Sequence, residues 1–124
     1  MRNEEIMKGD DISDRLVDFS VRIIRLVNSL PKNCVGKHVA KQLLRSGTSS
    51  GANYEEARGA ESLADFIHKL GIVLKELRET HYWLKVIKKG KLLRSEELQN
   101  VSSEAEQLSK ITAQSIITAR NKQK

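Results

Sequence analysis

A single cysteine, Cys34, is all that this 124-residue sequence offers to thiol chemistry. It excludes an intrachain disulfide, leaves no thiolate cluster for structural zinc, and makes a reducing cytoplasm the expected setting. Proline is equally scarce, and Pro31 marks the one place where a helix must stop for covalent reasons. Two phenylalanines, two tyrosines and one tryptophan are too few for a broad stacking platform on single-stranded nucleic acid. No apolar run is long enough to span a bilayer, and the opening MRNEEIMKGDD is too acidic for a signal peptide. A soluble protein without a membrane partner is therefore expected. Acid is missing too, over one long interval: no Asp or Glu occurs between Phe19 and Tyr54.

What is present is helical periodicity. Apolar residues recur at Ile12, Leu16, Phe19, Ile23, Leu26, Val27 and Leu30, which predicts a helix from about Ser13, capped by Ser13 or Asp11, to Ser29. Asp11, Asp14 and Asp18 then sit on its first turns, where the helix dipole favours negative charge. Asn33 can cap a second helix with the stripe Val35, Val39, Leu43, Ser46, Gly47, Ser50, Tyr54 and Ala57. By propensity, Ser46 to Asn53 reads as a loop. The three-and-four spacing runs on through it, however, so a helix with a flat strip of small residues is the better reading, and a neighbouring backbone can approach such a strip closely. Gly59 stops this helix, and Ser62 with Asp65 forms a capping box for the next. The third helix carries Leu63, Phe66, Ile67, Leu70, Val73, Leu74, Leu77, His81, Leu84 and Ile87, and it ends at Lys88, Lys89 and Gly90. Ser95 caps a fourth, with Leu98, Val101, Ala105, Leu108, Ile111, Ile116 and Ala119 on one face. Four amphipathic helices joined by short connections predict an all-α, antiparallel up-down-up-down four-helix bundle. It forms one domain over residues 1–124, with 1–11 and 120–124 expected to be flexible.

That topology sorts the charges. The net charge is +6 and the pI about 9.6. Arg22, Arg25, Lys37, Lys41, Lys85, Lys88, Lys89, Lys91 and Arg94 fall at the end that holds the first and third connections. Acids gather at the other end. Helix dipoles explain part of this, but Lys37 and Lys41 lie near the start of a helix, where the dipole disfavours them. The excess points to an anionic partner, RNA or DNA, bound through phosphates.

Other chemistries fit less well. Asp65 and His68 match the carboxylate-x-x-His spacing of di-iron bundles, but such a site needs a second copy and two more inward carboxylates. Val35 precedes His38 by three and Arg78 precedes His81, so no metal or other cofactor is expected. Ser46, Ser49 and Ser50 have no histidine base at a motif spacing, and Gly47 with Gly51 lacks the lysine of a phosphate-binding loop. No enzyme activity is expected. The remaining conspicuous residues, Gly47, Ser50, Gly51, Asn53, Tyr54, Glu56, Tyr82 and Trp83, suit packing or a subunit interface. Glu76, Arg78 and Glu79 suit ion pairing along the third helix. One of Tyr82 and Trp83 packs, while the other is free to stack or line an interface.

The stretch SSGANYEEARGAES from Ser49 to Ser62, followed by DFIHKLGIVLKELRETHYWL from Asp65 to Leu84 and preceded by LVDFSVRIIRLVNSLP, resembles the bacterial 23S rRNA-intervening sequence protein family. The resemblance implies a four-helix bundle that assembles with itself, as a homopentamer, and it implies no catalytic residues. The expectation is thus a homo-oligomeric binding protein that contacts RNA, ribosomal RNA included, or other nucleic acid through its basic end. The alternative is a protein–protein interaction scaffold whose positive charge is incidental.

Overall fold

The computed structural model describes the backbone of residues 3–123 and the side chains of residues 9–123. Four α-helices follow one another: α1 (Asn3–Ser29), α2 (Cys34–Arg58), α3 (Leu63–Lys89) and α4 (Glu96–Gln123). Each packs on its sequence neighbours, and α4 returns to α1, so the four close into an antiparallel bundle. The α2/α3 seam is the most extensive and the α1/α4 seam the thinnest. Among the described residues there is no strand.

Local chemistry sets most boundaries. Asn33 accepts from the Gly36 amide at 2.8 Å, Ser62 from Asp65 at 3.0 Å and Ser95 from Glu97 at 3.2 Å. Each side chain thus satisfies an amide that has no partner inside its own helix. The start of α1 departs from expectation. The helix begins at Asn3, not near Ser13, and the Ser13 hydroxyl instead donates to Glu55 on α2. A tertiary tie holds the added turns, because Arg58 of α2 pairs with Asp10 at 2.6 Å. Asp11, Asp14 and Asp18 are consequently interior to the helix, and the dipole does not account for them. The stretches 1–11 and 120–124 are helical over 3–11 and 120–123; residues 1, 2 and 124 lie outside the described residues.

The exit of α3 is a Schellman turn: the Leu92 amide donates to Ile87 O at 3.0 Å and the Lys91 amide to Lys88 O at 3.2 Å. Gly90 stays right-handed at φ −76°, whereas Lys91 takes the left-handed conformation at φ 54°. A side chain there is strained where glycine would not be. Lys91→Gly is expected to stabilise the fold by about 0.5–1 kcal/mol, less the entropy that glycine adds to the unfolded chain. The shift in a urea midpoint measures it.

The core is one long cluster with a smaller one at the far end. Leu16, Phe19, Ile23, Leu26 and Leu30 of α1 meet Val39 and Leu43 of α2, Val73, Leu77, Leu84 and Ile87 of α3, and Leu98, Val101, Ala105 and Leu108 of α4. Ala57, Leu70 and Ile116 close the other end, with Tyr54 and Phe66 against them. α2 brings few large side chains, and its Ser46 and Ser50 are fully buried. The small strip is helical as predicted, and its purpose is visible in α1. A Cβ on Gly47 would stand 2.8 Å from Ile23 Cγ2, so Ile23 fills the space that glycine leaves. At Gly51 the nearest atoms are those of Leu16, at 3.4 Å and beyond. Buried hydroxyls return to backbone: Ser50 donates to Gly47 O at 3.0 Å and Thr80 to Glu76 O at 2.8 Å. Thr80 also shares a 2.9 Å hydrogen bond with Ser46, which ties α3 to α2 through the core.

Candidate nucleic-acid interface at the basic end

The α1–α2 turn at Pro31 and the α3–α4 turn at Gly90 lie at the same end of the bundle, as the antiparallel order requires. Lys37 and Lys41 therefore stand on the first turns of α2, next to the last turns of α1 and α3. Lys85, Lys88, Lys89, Lys91 and Arg94 surround the α3–α4 turn. All seven are exposed. Among the described residues, none has a carboxylate within 4.0 Å, and Lys88 alone has a polar partner, donating to Gln99 at 3.1 Å. Arg25 is exposed and unpaired in the same sense.

Arg22 differs from the rest. Its Nε donates to Glu97 at 2.6 Å, joining α1 to the start of α4, and that hydrogen bond holds the Glu97 carboxyl below its ordinary range. Arg22 is thus engaged in closing the thin α1/α4 seam, together with the two-pronged pair of Arg15 with Glu104 at 2.6 and 3.1 Å. Two shallow recesses mark the surface at this end. One, of about 210 Å³, is lined by Lys88, Lys91, Arg94, Ser95 and Gln99 over the apolar floor of Leu93 and Leu98. The other, of about 540 Å³, is lined by Tyr82, Lys85, Val86, Lys89 and Gly90.

The adjacent aromatics divide their work. Trp83 turns toward α2, donates its indole N–H to Glu79 at 3.2 Å and meets His38 edge-on, with ring centres 5.8 Å apart. Tyr82 is 55% exposed and touches Trp83 edge-on at 5.0 Å, leaving its other side to solvent. Glu79 also pairs with Arg45 of α2, whose second nitrogen reaches the nearly buried Glu76 at 3.2 Å. The cationic partner of both glutamates is this distant Arg45; Arg78, the local candidate, pairs with neither.

The other interface candidates sit away from the basic end. Gly47, Ser50 and Gly51 serve packing within the chain, and Asn53 caps back onto its own helix by donating to Ser49 O at 2.8 Å. Tyr54 packs between the two core clusters, where burial pushes its phenol above the ordinary value. Glu56 is exposed on the last turns of α2. Asp65, half of the carboxylate-x-x-His spacing, pairs with Lys69 at 3.3 Å. Among the described residues no three acids, histidines or cysteines gather as metal ligands would, and no helix is long and apolar enough to cross a membrane.

Sequence reasoning passed over Lys75 and took Arg78 for an ion-pair partner of Glu76 and Glu79, which pair with Arg45 instead. Lys75 and Arg78 are both exposed on α3 and continue the line of Tyr82, Lys85 and Lys89 at intervals of three and four residues. That spacing is legible in the sequence, but the stronger apolar stripe of the same period masks it.

Residues 10–114 match the family model described as 23S rRNA-intervening sequence protein. A solved structure from Bacteroides thetaiotaomicron VPI-5482, described as a protein with unknown function from the S23 ribosomal protein family, is 38% identical with a TM-score of 0.77. The match covers 85% of this chain and 97% of that one. No curated protein matches.

Proposed function

The chain belongs to the 23S rRNA-intervening sequence protein family, and on that footing we propose that it is a non-enzymatic, cytoplasmic RNA-binding protein that works as a homo-oligomer. The observation that carries this reading is the set of seven exposed cations at one end without a carboxylate partner. By contrast, Arg22 at the same end, and Arg15, Arg45, Arg58 and Lys69 elsewhere in the bundle, are each matched to an acid. Cations left unmatched side by side repel one another, and a chain of phosphates relieves that repulsion while releasing its own counterions. We take the assembly to be a ring of five, which is what the family resemblance implies. In such a ring every subunit presents the same end, so individually weak phosphate contacts add by multivalency. The free, exposed Cys34 thiol suits a reducing compartment.

The test is a salt titration of RNA binding, with the mass in solution measured alongside. Binding is expected at about 50 mM salt and should weaken steeply toward about 200 mM. The triple variant Lys37→Glu/Lys41→Glu/Lys88→Glu should lose at least about ten-fold in affinity and flatten the salt dependence. No binding at low salt, or equal binding by the variant, overturns the reading. A protein partner that survives nuclease treatment would favour the scaffold alternative.

A further inference from the structure

The basic surface does not stop at the end of the bundle. Lys75, Arg78, Tyr82, Lys85 and Lys89 recur at intervals of three, four, three and four residues, which places them on one outward stripe of α3. All five are exposed. The first and last are fourteen residues apart, about 21 Å at helical rise.

Among the described residues, no acid pairs with this stripe. α3 has three acids, and all are committed: Asp65 to Lys69, and Glu76 and Glu79 to Arg45 on the α2 side. Among the described residues, none of Lys75, Arg78, Lys85 and Lys89 has an acid partner. On α4, the line that follows the stripe reads Gln99, Ser102, Glu106, Ser109 and Ala113, small or polar residues with one exposed carboxylate. The exposed ring of Tyr82 sits at the middle of the stripe, beside the recess it shares with Lys85, Val86, Lys89 and Gly90. Its inner edge is held by Trp83, which is itself fixed by the hydrogen bond to Glu79.

We infer that this stripe is the track for one nucleic-acid strand, running along α3 with a single unstacked base on Tyr82. Four cations in a row follow the phosphates of one strand, and a lone aromatic among them offers a face that any base can stack on. A duplex offers no free base to that ring, so it can use the cations only. The chemistry selects single-stranded segments such as loops and ends. This inference rests on the nucleic-acid reading above but assigns a different set of residues to it, Lys75, Arg78 and Tyr82.

The experiment compares binding of a short single-stranded oligouridine with that of a duplex of equal length, at several salt concentrations, using the full chain. Lys75→Glu/Arg78→Glu should weaken the single strand by about ten-fold or more. Neutralising the same two as Lys75→Gln/Arg78→Gln should reduce the salt slope by about 1.4, two contacts at about 0.7 each. Tyr82→Ala should cost about five-fold or more on the single strand and nothing on the duplex, with the salt slope unchanged. Tyr82→Phe keeps the ring and should bind within about two-fold of the parent, which controls for the loss of packing on Trp83. If the parent binds while the Lys75/Arg78 variants and Tyr82→Ala all bind equally well, the stripe is wrong and the basic end alone is the site. A parent that binds no RNA at low salt overturns both readings. A change in the mass of the assembly with Lys75→Glu/Arg78→Glu, and none in RNA affinity, assigns the stripe to contacts between copies and overturns the inference.

Discussion

Gly36→Ala should be the most damaging single-methyl change in this protein, lowering stability by about 3 kcal/mol or more. A Cβ at position 36 would stand 1.9 Å from the Pro31 carbonyl oxygen and 2.8 Å from its carbon. Both are backbone atoms and cannot rotate away. The close approach arises because the chain reverses within a few residues: α1 ends at Ser29, Pro31 forces the turn, and Asn33 already caps α2. Relief would require either moving Pro31 or unwinding the first turn of α2, and the second course also sacrifices the Asn33 cap, about 1 kcal/mol by itself. Domains of this size hold roughly 5–15 kcal/mol in total, so the loss is a large share. Gly71→Ala is the control. Among the described residues, no atom beyond its chain neighbours and the adjoining backbone of α3 lies within 4 Å of its would-be Cβ, and alanine should stabilise α3 by up to about 1 kcal/mol. Urea unfolding of the two variants should shift in opposite directions; equal shifts would contradict the geometry.

The second large effect is at the small strip. Gly47→Ala should cost about 1–3 kcal/mol, because Ile23 is fully buried and stands 2.8–2.9 Å from the new methyl. The clash is with a side chain, so it can be relieved from the other side. Ile23→Ala alone should leave a cavity and destabilise by about 2–5 kcal/mol. Combined with Gly47→Ala, it should cost less than the two single effects added, since one methyl then occupies part of the space the other vacates. A double-mutant cycle reads that coupling, and strict additivity would mean the strip does not seat Ile23. Gly51→Ala should be near neutral or slightly stabilising, because its neighbours stand at ordinary contact distance.

These two glycines show what a sequence discloses and what it hides. Gly47 is readable, since it continues a three-and-four spacing through a stretch whose composition argues for a loop. Gly36 is not, because the clash comes from a turn whose path is set only when α1 and α2 pack. The same division runs through the helix boundaries. Asn33, Ser62 and Ser95 cap their helices through contacts two or three residues away, and local chemistry of that kind is visible in a sequence. The start of α1 is not, because Ser13 looks like a cap while its hydroxyl is spent on Glu55, 42 residues away.

Charge reads in a similar way. The segregation of bases to one end follows from helix order alone. Which bases are neutralised does not: Arg22 closes onto Glu97 across 75 residues, and Arg45 reaches Glu76 and Glu79 across 31 and 34. Only with those acids assigned does α3 emerge with an unmatched basic stripe. The adjacent Tyr82 and Trp83 are likewise indistinguishable until Glu79 and His38 are seen to hold one of them.

The most direct test of a nucleic-acid role is to purify the chain from its native cells at low salt and measure what comes with it. The account predicts copurifying RNA, released by raising the salt and removed by nuclease, on an assembly with the mass of five chains. A protein that arrives free of nucleic acid under those conditions, or with a companion unaffected by nuclease, would contradict it.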